Sequence, residues 1–240
     1  MQSARTRLDR FMSRQLGIKR QAIRPLVASG RILVDGLIAR DVQQTIHQFS
    51  HVTFDKQVIQ NNRPCYVMMN KPKGVVSATK DHQHKTIIDL LKDETQKTLH
   101  IAGRLDFNST GLILLTNDGH WSRKLSLPSN EIVKRYHVKL EKPLDESYID
   151  AFSKGIYFSY ENITTQPAQL KIISSHIAEV GITEGRYHQI KRMFGRFQNK
   201  VLELHRIAIG NVILDQELPP SKSRLLKKEE VKEIFQATMV

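Results

Sequence analysis

HIAGRLDFNSTGLILLTNDG, residues 100–119, is the stretch on which the reading of the chain turns. From Gly111 to Thr116 it is an apolar run, closed by Asn117-Asp118-Gly119. A short apolar run bounded by turn residues predicts a β-strand followed by a turn. Ahead of the strand lies an irregular loop carrying Arg104, Asp106, Asn108, Ser109 and Thr110. A carboxylate beside an arginine in a polar loop between strands is a candidate for catalysis. Aspartates in loops also close turns on their own backbone, and these residues alone leave both readings open.

Working outward, Cys65–Met69 reads as a buried strand and Asn70–Gly74 as a basic turn. Thr86–Leu91 reads as a short amphipathic helix. Lys134–Val138, Gln169–Ile173, Ala178–Ile182 and Val201–Leu204 read as strands, with helices at Asp145–Lys154, closed by Gly155, and at Lys227–Phe235. Many strands with hairpin links and a few flanking helices predict an α+β domain with a mixed, mainly antiparallel sheet.

The charge is +13 over 240 residues, which points to a polyanionic partner. It is uneven. Residues 1–63 hold eleven Lys and Arg against four Asp and Glu, a net +7, and the remaining 177 residues carry +6. Within that basic segment Leu8, Phe11, Met12 and Leu16 follow helical spacing, and Gly17 breaks the pattern. Lys19–Ser29 forms a second helical segment with Gly30 after it, where a left-handed residue often ends a helix. Arg31–Val34 and Leu37–Ala39 read as strands joined by Asp35-Gly36, a strong hairpin signal, and Val52–Phe54 as a further strand. Residues 57–63, QVIQNNR, are polar and end at Pro64, which suits a linker. These readings give a small α/β domain over residues 1–60 and a second domain over 61–240.

Several classes are disfavoured. With Cys65 alone, no disulfide framework forms within one chain. The ten histidines show no HExxH pattern, and His82 and His84 sit in a polar loop, so no metal is expected. Neither a phosphate-binding loop ending Gly-Lys-Ser/Thr nor a Gly-x-Gly-x-x-Gly turn is present, and no cofactor is expected. No segment approaches the roughly 20 apolar residues of a membrane span. Without a secretory signal pattern the expected location is the cytoplasm.

Residues 7–36, RLDRFMSRQLGIKRQAIRPLVASGRILVDG, resemble the small S-four-like RNA-binding domain. The resemblance makes Arg7, Arg10, Lys19, Arg20, Arg24 and Arg31 the candidates for contact with structured RNA, about half of them touching phosphate. GRLDFNSTGLILLTNDG closely resembles the signature of Rsu-type pseudouridine synthases. Two further blocks follow in that family's order, KRYHV at 134–138 and EGRYHQIKRMF at 184–194. The last block, with LELHRIAIG, looks like the branch acting on small-subunit (16S) rRNA.

The resemblance implies an isomerase that turns one specific uridine into pseudouridine. Asp106 would be the catalytic carboxylate, attacking the ribose, attacking the uracil ring, or assisting elimination through a glycal. Tyr136 would stack on the extruded base, since a stacked uridine inside folded RNA cannot be attacked. A cation from the third block would keep Asp106 ionised, with Lys191 favoured and Arg186 second. Arg104 would hold the flipped nucleotide's phosphate or fill the space it leaves. Arg186 and Arg192 are further RNA-contact candidates, and Lys191 and Arg186 are read as lying on one helix. The partner implied is structured rRNA, as 16S rRNA or a small-subunit assembly intermediate, met by a monomer. Two rivals remain at this level: a synthase acting on 23S rRNA or tRNA, and a non-catalytic RNA-binding assembly factor.

Overall fold

The computed structural model describes residues 5–93, 96 and 98–236. It divides into two compact units, Met1–Pro64 with Asp118–His120, and Cys65–Asn117 with Trp121–Val240.

In the first unit Leu8–Leu16 is a helix that buries Leu8 and Met12, and Gly17 ends it in the left-handed region at φ 68°. The second helical segment is divided: a 3-10 turn over Arg20–Ala22 leads into an α-helix at Ile23–Ala28. Pro25 accounts for the division. It has no N–H to donate to Gln21, so it is tolerated only in a first α-helical turn. Ile32–Val34 and Leu37–Ile38 pair as a hairpin across Asp35 (φ 53°) and Gly36 (φ 82°), the left-handed pair that matches strand twist. Val52–Phe54 adds to Ile32–Val34.

The linker reading of 57–63 is corrected for its first four residues, because Gln57–Gln60 is a strand paired with Val52–Phe54. The turn between them is Asp55-Lys56, at φ 48° and 67°. It lacks the glycine that signals such turns. The Arg31 guanidinium pairs with the Asp55 carboxylate. Leu8, Met12, Ile23, Val27, Ile32, Ile46 and Val52 form the core of this unit.

The second unit is built on a mixed sheet. From edge to edge its strands are Gln169–Ser174, Ile177–Ile182, Lys134–Leu140, Val201–Ile209, Thr110–Thr116, Tyr66–Lys71 and Ser223–Leu225. Neighbours along this path run antiparallel except Thr110–Thr116 and Val201–Ile209, which are parallel through His205–Thr110 and Arg206–Gly111. His100–Ala102 pairs with the far end of Thr110–Thr116, so the chain leaves that short strand, makes a loop, and returns beside it. The loop is residues 103–109.

Both faces of the sheet are covered. Ile113 and Leu115 join one apolar cluster, with Phe152, Met193 and Phe194 from helices Glu146–Lys154 and Gln189–Gly195. Leu112 and Leu114 join the other, with Trp121, Leu125 and Ile234. Burial on both faces explains why this strand reads as a continuous apolar run rather than an alternation. Asp145 caps its helix by accepting from Ser147 N at 2.9 Å.

Four readings change. The Asn117-Asp118-Gly119 turn opens directly into a helix, Gly119–Ser126. Thr86–Leu91 holds only a 3-10 turn at Ile88–Leu90, because Asp89 accepts from both the amide and the hydroxyl of Thr86. Val201–Leu204 continues to Ile209. Asn70 and Lys71 belong to the Tyr66–Lys71 strand, and Lys71 is wholly buried rather than part of an exposed basic turn.

At Gly111, φ is 99°, and an added Cβ would lie 2.3 Å from the carbonyl oxygen of Arg206. Gly74 has φ 78° but open space around it. Gly111→Ala should therefore melt well below Gly74→Ala, by roughly 5 °C if the backbone clash adds about 2 kcal/mol. Equal melting temperatures would show that the two strands separate freely at this point.

Candidate active site

The loop of residues 103–109 is held by its carbonyls. Arg206, 2% exposed, donates from Nη2 to Gly103 O at 2.8 Å and from Nε to Leu112 O at 2.7 Å, with a longer bond from Nη1 to Arg104 O at 3.4 Å. Ser77 Oγ donates to Leu105 O at 2.6 Å and accepts from Leu105 N at 3.1 Å. Lys71 Nζ donates to Ser109 O at 2.8 Å, Pro72 O at 3.1 Å and Phe107 O at 3.3 Å. Gly74 N also donates to Phe107 O. Leu105 is buried as an apolar anchor between Arg104, which faces solvent, and Asp106, which is partly open.

So fixed, Asp106 presents its carboxylate to Lys191 Nζ at 2.9 Å. Helix Gln189–Gly195 carries that lysine, and His188, at its N-terminal cap, brings Nε2 to 3.5 Å from the same oxygen. The side chain of Asp106 keeps 29% of its exposure, enough to meet a ligand. Tyr136 is 7% exposed on strand Lys134–Leu140, and its hydroxyl accepts from Arg206 Nη1 at 3.4 Å. Asp106, Tyr136, Arg104, Arg186 and Arg206 line one cleft of about 830 Å³.

Two buried lysines flank the cleft. Burial pushes Lys71 down to about 8, with Arg206 and Lys191 adding to the fall and Asp106 opposing it. Burial, then Arg206, likewise lowers Lys134 to about 8. Lys134 lines the cleft and donates to Thr183 O at 2.8 Å. The cost of burying these charges is met by hydrogen bonds to carbonyls.

The expected residues separate into three groups. Asp106, Lys191 and Tyr136 are gathered at one place. Arg186 lies in the loop before the helix, not on it, and its Nε pairs with Glu184 at 2.8 Å. Between the two candidate cations, Lys191 is the one that reaches Asp106. Arg192 is engaged internally, bound through both nitrogens to Glu161 and lying 3.8 Å over the Phe158 ring. In the N-terminal unit Arg7 and Arg20 both pair with Asp9, and Arg31 with Asp55. Arg10, Lys19 and Arg24 are exposed and have no ionic partner among the described residues. Also among the described residues, no group of three His, Cys, Asp or Glu is arranged to hold a metal ion, and no helix is long and apolar enough to cross a membrane.

Lys71, His188, Arg206 and Tyr187 escaped the sequence reading. Lys71 looked like part of a basic loop. Arg206 left one trace, a charged residue followed by Ile-Ala-Ile in a strand.

The arrangement is a partly open carboxylate with a bound ammonium, beside a tyrosine ring, at the floor of a cationic cleft. It can present a carboxylate oxygen to a flat, polar ligand attached to phosphates. Comparison with known proteins gives the family. Residues 65–195 match the RNA pseudouridylate synthase family, and residues 6–60 match the S4 domain. The chain belongs to the RNA pseudouridylate synthase family and carries an N-terminal S4 domain; it is an RNA-modifying isomerase. It is 47% identical over 226 residues to the ribosomal small subunit pseudouridine synthase A of Pseudomonas aeruginosa, covering 94% of this chain and 98% of that protein. The protein of the same name from Escherichia coli is 39% identical, with the same coverage. A crystal structure of a pseudouridylate synthase superposes with a TM-score of 0.70 at 35% identity, covering 95% of this chain and 99% of that one.

Lys71 makes its burial measurable. Its folded value near 8 lies below the ordinary 10.5. Between those values the unfolded chain binds more protons than the folded one, so stability rises with pH across the window. Wild type should therefore gain stability relative to Lys71→Met between pH 8 and 10.5 in denaturant titrations, Lys134 being common to both. A difference independent of pH would contradict the buried ammonium.

Proposed function

We propose that this chain isomerises one specific uridine of 16S rRNA, in the free RNA or a small-subunit assembly intermediate, with Asp106 as the nucleophile. The observation that carries the reading is Asp106, paired with Lys191 at 2.9 Å and lining the same cleft as Tyr136. The names of the relatives support the small-subunit target.

The reaction breaks the bond between uracil nitrogen 1 and ribose carbon 1′ and makes one from uracil carbon 5 to the same ribose carbon. The proton on carbon 5 leaves, and nitrogen 1 takes one up. Nothing is oxidised, so the chemistry needs no cofactor. Lys191 orients the Asp106 carboxylate through its 2.9 Å contact. Attack on the ribose, attack on the ring, and assisted elimination all use the same charged oxygen. The Tyr136 ring stacks on the flipped uracil, recovering roughly 1–3 kcal/mol of the stacking lost in extrusion, and a proton-transfer role for its hydroxyl belongs to the same reading. Arg104, exposed at the cleft wall, meets the flipped nucleotide's phosphate.

In this reading residues 1–60 hold the RNA and residues 61–240 do the chemistry, in a monomer working in the cytoplasm. Of the basic side chains in the first segment, Arg10, Lys19 and Arg24 are the strongest phosphate contacts, because the carboxylates nearby already engage Arg7, Arg20 and Arg31. Phosphate contacts set register and orientation rather than sequence.

Asp106→Asn should release no tritium from 5-tritiated uridine in 16S rRNA and leave RNA affinity equal or slightly higher, since one negative charge leaves a phosphate-facing cleft. Turnover by the purified variant would reject the nucleophile. The combined Arg10→Ala, Lys19→Ala, Arg24→Ala variant should show a salt slope of log K shallower by about two units, at about 0.7–0.9 per lost phosphate contact. An unchanged slope would remove these residues from the RNA interface.

A further inference from the structure

Tyr187 lines the cleft and is 75% exposed, whereas most of the protein's other aromatic residues are buried or partly buried. Its ring is not loose. It stacks on the His188 imidazole with centroids 3.9 Å apart and planes 22° from parallel. His188 itself is held at φ 50°, in the left-handed region that few non-glycine residues occupy.

The loop that presents the pair is tied down from below. The side chain of Gln189, 3% exposed, accepts from Arg186 N at 3.0 Å and donates to Glu184 Oε1 at 2.8 Å. Glu184, 5% exposed, also accepts from Gln166 N and from Arg186 Nε. A backbone held off its preferred basin by buried hydrogen bonds, in order to display an aromatic ring in solvent, suggests a function for the ring. Nothing in the Asp106–Lys191–Tyr136 cluster uses it.

Position narrows that function. His188 Nε2 is 3.5 Å from Asp106 Oδ2, so the stacked pair begins at the reacting carboxylate and leads away from it. A base flipped onto Tyr136 leaves its chain neighbours unstacked on one face. An exposed aromatic ring separated from the carboxylate by one imidazole, with the Arg104 and Arg186 guanidiniums on the same cleft, matches the chemistry of an unpaired base and its phosphate.

We propose that Tyr187, backed by His188, is a stacking ledge for the base next to the target uridine, a second nucleobase subsite outside the catalytic pocket. This rests on the RNA-isomerase reading above and adds to it a binding determinant on the flanking nucleotide. Because stacking recognises a π-face rather than a hydrogen-bond pattern, the ledge accepts any base and contributes affinity more than sequence preference. It also gives the enzyme a grip on the strand that is available only when the strand is unpaired around the target.

The probe is a single-stranded RNA of about ten nucleotides with one uridine, carrying fluorescent 2-aminopurine immediately 5′ or 3′ of it in turn. Full-length wild type should quench one of the two positions on binding. Tyr187→Ala should lose that quench and bind roughly fivefold to a hundredfold more weakly, the range expected for one lost stacking contact. Tyr187→Trp should restore both, which a role for the hydroxyl or for the loop backbone would not do. Quenching and affinity in Tyr187→Ala equal to wild type would overturn the ledge, as would failure of Tyr187→Trp to restore them. Tritium release by wild type from 16S rRNA reports separately on the isomerase reading. Its absence would sink that reading, while the binding arms still decide the ledge without turnover.

Discussion

One buried guanidinium holds the site together. Arg206 lies at the parallel junction of Thr110–Thr116 and Val201–Ile209, where Gly111 lets the backbones approach closely. From there it reaches the carbonyls of Gly103, Arg104 and Leu112 and the hydroxyl of Tyr136. It thus joins the strand after the 103–109 loop, the start of that loop itself, and the strand carrying Tyr136. A planar, permanently charged fork with five donors can satisfy several acceptors in fixed directions. No other side chain could do so with this geometry. Lys71 completes the hold from the other end of the loop, so that Asp106 projects from a backbone fixed on both sides.

The same residues set the electrostatics. Asp106 is surrounded by Lys191 and His188 in contact and by the buried charges of Lys71 and Arg206 behind it. The positive charges of Lys191, Lys71 and Arg206 around one carboxylate make the cleft attractive to phosphates despite the negative charge it holds. The lysines do this at a cost in desolvation that carbonyl hydrogen bonds offset, and the lowered values of Lys71 and Lys134 record what is left of that cost.

Much of this was legible in the sequence, and the illegible parts have physical reasons. The Thr110–Thr116 strand announces itself because both of its faces are buried. The grouping of Asp106, Tyr136 and Lys191, distant along the chain, came from motif resemblance and not from spacing. Arg206 was invisible because its partners are carbonyls, which every sequence has and none displays. Lys71 sits in Asn-Lys-Pro-Lys-Gly, a composition that says solvent, yet the strand runs on through it. The strand at Gln57–Gln60 was hidden because Asp55-Lys56 makes a left-handed turn without glycine. Which basic residues of the N-terminal unit are free for RNA depended on where Asp9 and Asp55 lie in space.

We propose that the geometry imposed by Arg206, and not merely its charge, makes Asp106 and Tyr136 competent for the isomerisation. Arg206→Lys keeps the charge and removes the fork. The direct measurement is the single-turnover rate of tritium release from 5-tritiated uridine in 16S rRNA at saturating enzyme, on variant protein whose circular dichroism matches wild type. A misplacement of about 1 Å at a reacting group costs on the order of a hundredfold in rate, so the variant should be slowed by about that factor with RNA affinity nearly unchanged. A single-turnover rate equal to wild type would show that the charge of Arg206 suffices and its fork does not position the site.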